Sequence, residues 1–485
     1  MKKLLSSHDL KLLTLLEELN RNRQTTSLKE LSQTLAIPIR TLSTYIQEFN
    51  GYQLPIYISS DNRGVHLIIP KEHSFRYVYS IILKHSLEFS ILQQIFLNEN
   101  LTLEELAEKN FVSLSTVKRA ITRIKPLLKR EDILISNNNA AIEGEEEKIR
   151  QFFNYFYDEK YFNLEFLTTE QRQCLHALVQ DLFQQRGIKI YKNQVNKYIR
   201  WMYLNAVRIK YGHRITPKKN RFKTSSLLSD KTFIHQFEHL FQIPLTLETI
   251  NDLLYQLNNY YLYYSYGQVE TMAEQSIEVT EKMQTIKTNL QTISQDLGIR
   301  LPESTEQMLI LDFINILQFK SPRTFLLYDR RATFLEHLSI KYPHLKDYLS
   351  AYVINLLAPA APQSEINELI YILLTHWYEL YNCLHKIEQC IAIYIFVDTD
   401  LEHALFIKKE LESHCRYHIN CHLMMDDELI MIPDEAILVT SIADTPQCIK
   451  NVICFSDYFS ERNWYDLNNQ IKQLTTQKAF TNVSR

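Results

Sequence analysis

The feature that most constrains this chain is a repeat near its N-terminus, offset by 75 residues with no gap. The first copy is SLKELSQTLAIPIRTLSTYI, Ser27 to Ile46, and the second is TLEELAEKNFVSLSTVKRAI, Thr102 to Ile121. Leu28, Leu31, Ile37, Leu42 and Ile46 align with Leu103, Leu106, Val112, Val117 and Ile121. With its apolar positions kept in register, such a duplication predicts one local fold made twice.

Each copy parses the same way. Ser27 or Thr102 is placed to cap a helix, with Glu30 or Glu105 three residues on to complete a capping box. Leucines at i and i+3 then face a core, and a small residue, Ser32 or Ala107, lets a second helix cross closely. A short turn follows, AIP or FVS, and then a second amphipathic helix, which together make a helix-turn-helix. A helical pattern precedes each copy, at Asp9–Leu19 and Leu87–Leu97. A β-ribbon follows each: Pro55 to Ile69 alternates around an Asp-Asn-Arg-Gly turn, and Ile133 to Gly144 is its shorter counterpart. Two tandem winged helices therefore fill residues 1 to about 145.

The net charge of −3 is no polycation's, but the bases are not evenly spread. From Ser113 to Arg130 there are Lys118, Arg119, Arg123, Lys125, Lys129 and Arg130 with no acid between them, the footprint of a phosphate-binding stripe. The first recognition helix, Pro38–Phe49, has only Arg40 as a base, whereas the second, Ser115–Leu128, has four, so the second is expected to make the main groove contact. Expected DNA contacts are Arg40, Thr41, Ser43, Thr44 and Arg63 in the first unit. In the second they are Ser115, Thr116, Lys118, Arg119, Thr122, Arg123 and Lys125. Short hydroxyls and lysine favour phosphate over base edges, which implies modest specificity with a contribution from DNA shape. A second acid-free basic run, Arg208 to Lys223, has the same electrostatic character.

From about Glu145 to Ile387 the pattern is almost wholly helical, in two blocks at about Leu164–Val269 and Ile277–Lys386, with prolines at 217, 302, 322, 359 and 362 marking loops. INELIYILLTHWYELYNCLHK is expected to be one amphipathic helix carrying His376. The last block alternates strands (IAIYIF, HINCHLMM, AILVTS, NVICFS) with helices at His403–Ser413 and Asn463–Leu474, the pattern of a small parallel-rich α/β domain.

Several chemistries are disfavoured. There are only seven glycines and none after Gly298, so loops that bring backbone close to a nucleotide's phosphates are not expected there. The seven cysteines form no Cys-x-x-Cys, which points to reduced thiols rather than a zinc or disulfide framework. His235 and His239 flank Glu238 at helical spacing, but no third ligand is indicated, and the Asp398-Thr399-Asp400 trio lacks the further acids a magnesium site needs. No metal, cofactor or enzyme activity is expected. MKKLLSSHDLKLL is too short and interrupted an apolar run for a signal peptide, and no stretch approaches a membrane span, so a cytoplasmic location is expected.

Two winged helices, two helical blocks and a C-terminal α/β domain, in that order, resemble the Mga/AtxA family of Gram-positive global virulence regulators. VRIKYGHRI, FLLYDRR followed by YPHL, and LIYILLTHW resemble sugar-phosphotransferase regulation domains (PRDs), and the end domain is similar to the EIIB domains of phosphotransferase permeases. The resemblance implies a mainly α multidomain fold. Its expected parts are winged helices at 1–72 and 73–160, PRD-like domains at 161–275 and 276–388, and an EIIB-like domain at 389–485. It also implies double-stranded DNA as partner, homodimerisation through the C-terminal domain, and phosphorylation by the phosphocarrier protein of the sugar phosphotransferase system. His213 and His376 map to the regulatory histidines, with His235, His239 and His337 as competitors. An EIIB domain carries a phosphocysteine after its first strand; here that loop is Asp398-Thr399-Asp400, so phosphotransfer by this domain is not expected. The competing functions are a phosphotransferase component with a DNA-binding head and a protein-binding scaffold.

Overall fold

In a computed structural model of the chain, both capping boxes form: Ser27 accepts from the Glu30 N–H and Thr102 from the Glu105 N–H, each glutamate accepting in return. The structure describes residues 1–22, 25–61, 64–136, 141–185, 192–216, 222–259, 263–318, 325–340, 342, 345–357, 361–384, 391–415, 419–424, 432–442, 445 and 449–482. The chain is mainly helical and divides into two units, Met1–Leu262 with Arg323–Asp329, and Tyr263–Pro322 with Arg330–Arg485.

The first winged helix consists of α1 (Ser7–Arg21), α2 (Leu28–Leu35), α3 (Ile39–Gly51) and the antiparallel ribbon β1 (Tyr57–Asp61) with β2 (Gly64–Ile68). Leu12, Leu16, Leu31, Leu42, Phe49 and Val65 close its core. Gly64 has a positive φ of 139°, and a Cβ there would meet the Thr26 carbonyl oxygen at 2.4 Å, because Thr26 pairs with Val65 at the ribbon's edge. Only glycine fits.

After α4 (Arg76–His85), the second winged helix repeats the plan with α5 (Leu87–Leu97), α6 (Leu103–Lys109), α7 (Leu114–Lys129) and the ribbon β3 (Ile133–Ile135) with β4 (Ile142–Gly144). Phe89, Phe96, Leu106, Val117, Ile124 and Ile142 are buried together. Next, α8 (Glu146–Lys160) presses an aromatic face on this core: Phe153 stacks on Phe96 with ring centroids 3.9 Å apart, and Phe156 lies 5.1 Å from Phe89. The helical block continues with α9 (Thr169–Gln184), α10 (Lys192–Lys210), α11 (Lys231–Phe241) and α12 (Leu247–Leu253).

In the second unit, helices from Tyr266 to Asn382 pack around Ile286, Phe313, Leu349, Leu369 and Trp377. The single helix expected through His376 is two: Gln363–His376 ends at Trp377 (φ −114°, ψ 94°) and Tyr378–Asn382 follows. Trp377 is fully buried, and its indole N–H donates to the Arg300 carbonyl at 3.1 Å. Seating that ring takes precedence over continuing the helix.

The C-terminal strands β5 (Ile391–Phe396), β6 (Ile419–Leu423), β7 (Ile437–Thr440) and β8 (Val452–Cys454) form a small parallel sheet in the order β6-β5-β7-β8. Leu401–His414 and Glu461–Asn482 are its helices. β7 is buried at every position, as a strand covered on both faces must be.

Candidate nucleic-acid interface

The N-terminus of α7 is built by hydroxyls. Ser113 caps it by accepting from the Thr116 N–H at 3.2 Å, and its Oγ lies 2.8 Å from both the Ser115 Oγ and the Thr116 Oγ1. The Arg119 guanidinium donates to the Thr116 hydroxyl at 3.3 Å, and the Thr122 hydroxyl donates back to the Lys118 carbonyl at 2.8 Å. Val117, Ala120, Ile121, Ile124 and Leu128 face the core, leaving Lys118, Arg119 and Thr122 exposed on the opposite side.

Two further cations of this helix have partners within the domain. Arg123 forms an ion pair with Glu88, whose side chain is 4% exposed and also accepts from Ser86. Lys125 donates to the Ser136 carbonyl at 3.3 Å, tying the recognition helix to the wing. The exposed cations of this face are Lys118, Arg119 and Arg123, the last of them paired with Glu88, with Lys129 and Arg130 at the far end.

In the first winged helix Arg40 and Thr44 are exposed, whereas Thr41 and Ser43 are half-buried. The Ser43 and Thr44 hydroxyls both donate to carbonyls one turn back, those of Ile39 and Arg40. Pro38 provides no side-chain cap. Arg63 lies outside the described residues.

The two helix-turn-helix turns share a conformation that sequence reasoning did not predict. Ala36 and Phe111, equivalent in the repeat, have φ of 51° and 54°. After α6 the Phe111 N–H donates to Glu108 and the Val112 N–H to Ala107, closing the helix with a left-handed residue at a site that favours glycine. A side chain there costs roughly 1–2 kcal/mol. Phe111 is also 96% exposed, the most among the large apolar residues described. The available signal was its alignment with Ala36 at a helix end.

Of the basic run expected from Arg208 onward, Lys210 and Lys223 are exposed but Arg208 is not on the surface. Arg208 is fully buried, pairing with Glu99 and with Glu146 at 2.7 Å. Arg150, equally buried, pairs with Glu146 at 2.9 Å and Asp252 at 2.8 Å, and donates to the His213 carbonyl at 2.7 Å. Burial pushes the Asp252 carboxyl up, against the pull of Arg150. Arg214 lies 3.7 Å from Glu248, and Lys218, Lys219 and Arg221 are outside the described residues. The physical reason is desolvation: a dry guanidinium needs carboxylate partners, and two helices and a loop supply them. Sequence reasoning missed Glu99, Glu146, Arg150 and Asp252; the available hint was an arginine set among the buried aromatics of IRQFFNYF.

His213 belongs to this network. Its Nε2 lies 2.8 Å from the Glu99 carboxylate, and its side chain is 34% exposed. His376 is also half-buried, with Nδ1 3.0 Å from the Ile372 carbonyl and Nε2 3.9 Å from Asp312, whose carboxyl is raised by burial. His235 and His239 are exposed on α11, and His337 is exposed on Arg330–Ser339.

The C-terminal loop uses its acids locally. Asp400 caps Leu401–His414 by accepting from the His403 N–H at 2.7 Å, and Asp398 is paired with the Ser441 hydroxyl. Among the described residues no three His, Cys, Asp or Glu side chains are grouped to hold a metal, and no helix is long and apolar enough to cross a membrane.

A model of the Mga helix-turn-helix domain matches residues 71–157, the span from α4 through the second winged helix to α8. A putative trans-acting regulator of Streptococcus pneumoniae serotype 4 is 23% identical over 446 residues, covering 88% of this chain and 90% of its own. The Bacillus anthracis capsule synthesis positive regulator AcpA is 28% identical over 193 residues, 39% of this chain and 40% of its own. The anthrax toxin expression trans-acting positive regulator of the same organism is 24% identical over 150 residues, 30% of this chain and 31% of its own. The chain thus contains a match to the Mga helix-turn-helix domain and is similar, over most of its length in one case, to proteins named as trans-acting and positive regulators.

Proposed function

We propose that the chain is a DNA-binding transcriptional activator whose second winged helix carries the main contact. The observation that supports this most is the outward pair Lys118 and Arg119, one turn into a helix whose N-terminus is capped by Ser113 and preceded by a helix-turn-helix turn. Ser115, Thr116 and Thr122 add hydroxyls for phosphate oxygens on that side, while Arg123 and Lys125 hold the domain and its wing in place. Arg40, Thr44 and Arg63 of the first unit contribute to register rather than to most of the affinity. Phosphate contacts dominate, so sequence selectivity is modest.

The five-part division stated from sequence, with PRD-like blocks at 161–275 and 276–388 and an EIIB-like end, is part of this reading. So is control by histidine phosphorylation from the phosphocarrier protein. His213 is favoured because Glu99, its partner, lies in the loop between α5 and α6 of the second winged helix. A phosphoryl group on Nε2 displaces Glu99 by charge repulsion and competes for Arg208. One carboxylate thus connects the state of the histidine to the DNA-binding unit. His376, beside Asp312, is the second candidate. Exposed Leu405, Phe406 and Tyr458 favour dimerisation through the last domain.

Capture of fragmented genomic duplex DNA by the full chain tests the reading. The wild type should retain fragments at moderate salt and the Lys118→Ala/Arg119→Ala variant should not. Equal recovery by both overturns the assignment of the second winged helix.

A further inference from the structure

We propose that Phe111 contacts DNA, packing on thymine 5-methyl groups at the edge of the major groove and giving the complex a preference for thymine. The proposal rests on the DNA-binding reading above. The local fold does not call for this side chain. The repeat needs a left-handed residue here, and Ala36 fills the equivalent place with a methyl group. Phe111 instead holds a full aromatic ring in water, in a conformation where glycine or asparagine is at ease. A strained and solvated apolar residue at a functional edge is the kind of departure that binding compensates.

Its place identifies the occupant. Phe111 stands two residues before the Ser113 cap, at the same end of α7 as Ser115, Thr116, Lys118 and Arg119. Cations and hydroxyls there suit a polyanion. The one apolar group that a major groove offers beside its phosphates is the thymine methyl, against which phenylalanine packs. A lone ring beside this cationic face fits that groove edge better than an apolar protein surface, which would meet Lys118 and Arg119 unpaired.

The test compares the full chain on an alternating dA–dT duplex with the same duplex carrying uracil for thymine, by fluorescence anisotropy at two salt concentrations. Wild type should bind the uracil duplex more weakly, by about 4-fold for each methyl that loses its contact. Phe111→Asn and Phe111→Ala should bind both duplexes alike, at or below the wild-type uracil level, with the salt slope unchanged because no phosphate contact is lost. Phe111→Asn should melt no lower than wild type, since asparagine accepts the left-handed turn. Wild type that binds both duplexes equally, or variants that keep the thymine preference, overturns the proposal while leaving the DNA reading intact. Variants with unchanged DNA affinity but lost activation of transcription make Phe111 a protein-docking residue and overturn it too. Wild type that binds neither duplex at low salt overturns the DNA reading, and the proposal with it.

Discussion

Replacing Glu146 with glutamine should destabilise the first unit far more than its single site suggests. The carboxylate accepts from the Arg150 Nε at 2.9 Å, from the Arg208 Nε at 2.9 Å and from the Arg208 Nη2 at 2.7 Å. Neither guanidinium has solvent access. The amide has one acceptor oxygen and turns two N–H donors toward two cations. Hydrogen bonds to charged groups contribute about 1.5–3 kcal/mol each, and removing one member of a buried ion cluster costs about 3–5 kcal/mol. We take the latter figure, because this one carboxylate is shared by both buried arginines. At about 2–4 °C per kcal/mol for a domain of this size, the melting point should fall by roughly 6–20 °C. Urea unfolding followed by tryptophan emission is the assay, since Trp201 is the only tryptophan before residue 263. Glu99→Gln should cost less, about 1.5–3 kcal/mol, because Arg208 keeps Glu146. A loss below about 1 kcal/mol for Glu146→Gln refutes the idea that the cluster is dry and mutually dependent.

Three further outcomes are expected. Glu159 accepts from the Leu326, Leu327 and Tyr328 N–H groups at 2.5, 2.8 and 3.3 Å, yet burial pushes its carboxyl up to about 7. A carboxyl raised on folding stabilises most below its unfolded value, so stability should fall as pH rises from about 4.5 to about 7. Glu159→Gln should flatten that part of the urea-midpoint profile, and an unchanged slope would count against it. Phe406→Glu, placing a charge beside Tyr458, should convert a dimer into a monomer in light scattering; a variant that remains dimeric moves the interface elsewhere. Incubation with the phosphorylated phosphocarrier protein should label the wild type with acid-labile phosphate and His213→Ala less, whereas equal labelling of the two removes His213 from the mechanism.

How much was legible in the sequence depended on the range of the interactions. Capping boxes, leucine spacing and the glycine at each ribbon's edge are local, so the two winged helices could be read from Ser27, Glu30, Thr102 and Glu105 alone. The parallel sense of β5 to β8, though not their order, followed from strand–helix alternation. Long-range pairing could not be read. Arg208 meets Glu99 from 109 residues away, and in a linear reading it is one more base in a basic run. The same holds for Arg123, whose partner Glu88 lies on the helix before the repeat. Trp377 broke an otherwise continuous helical period because its indole finds a carbonyl 77 residues earlier. The chemistry of the candidate interface was visible as composition, but which cations face outward was decided by tertiary partners.

The most direct test of the account is the salt dependence of duplex binding by the full chain. Each phosphate contact contributes about 0.9 to the slope of log K against log salt concentration. Lys118→Ala/Arg119→Ala should flatten the wild-type slope by about two contacts' worth and weaken binding to every duplex, while Arg123→Ala should leave the slope nearly unchanged and lower stability instead. Parallel slopes for wild type and the Lys118→Ala/Arg119→Ala variant, at equal affinity, would contradict the claim that this helix face meets DNA.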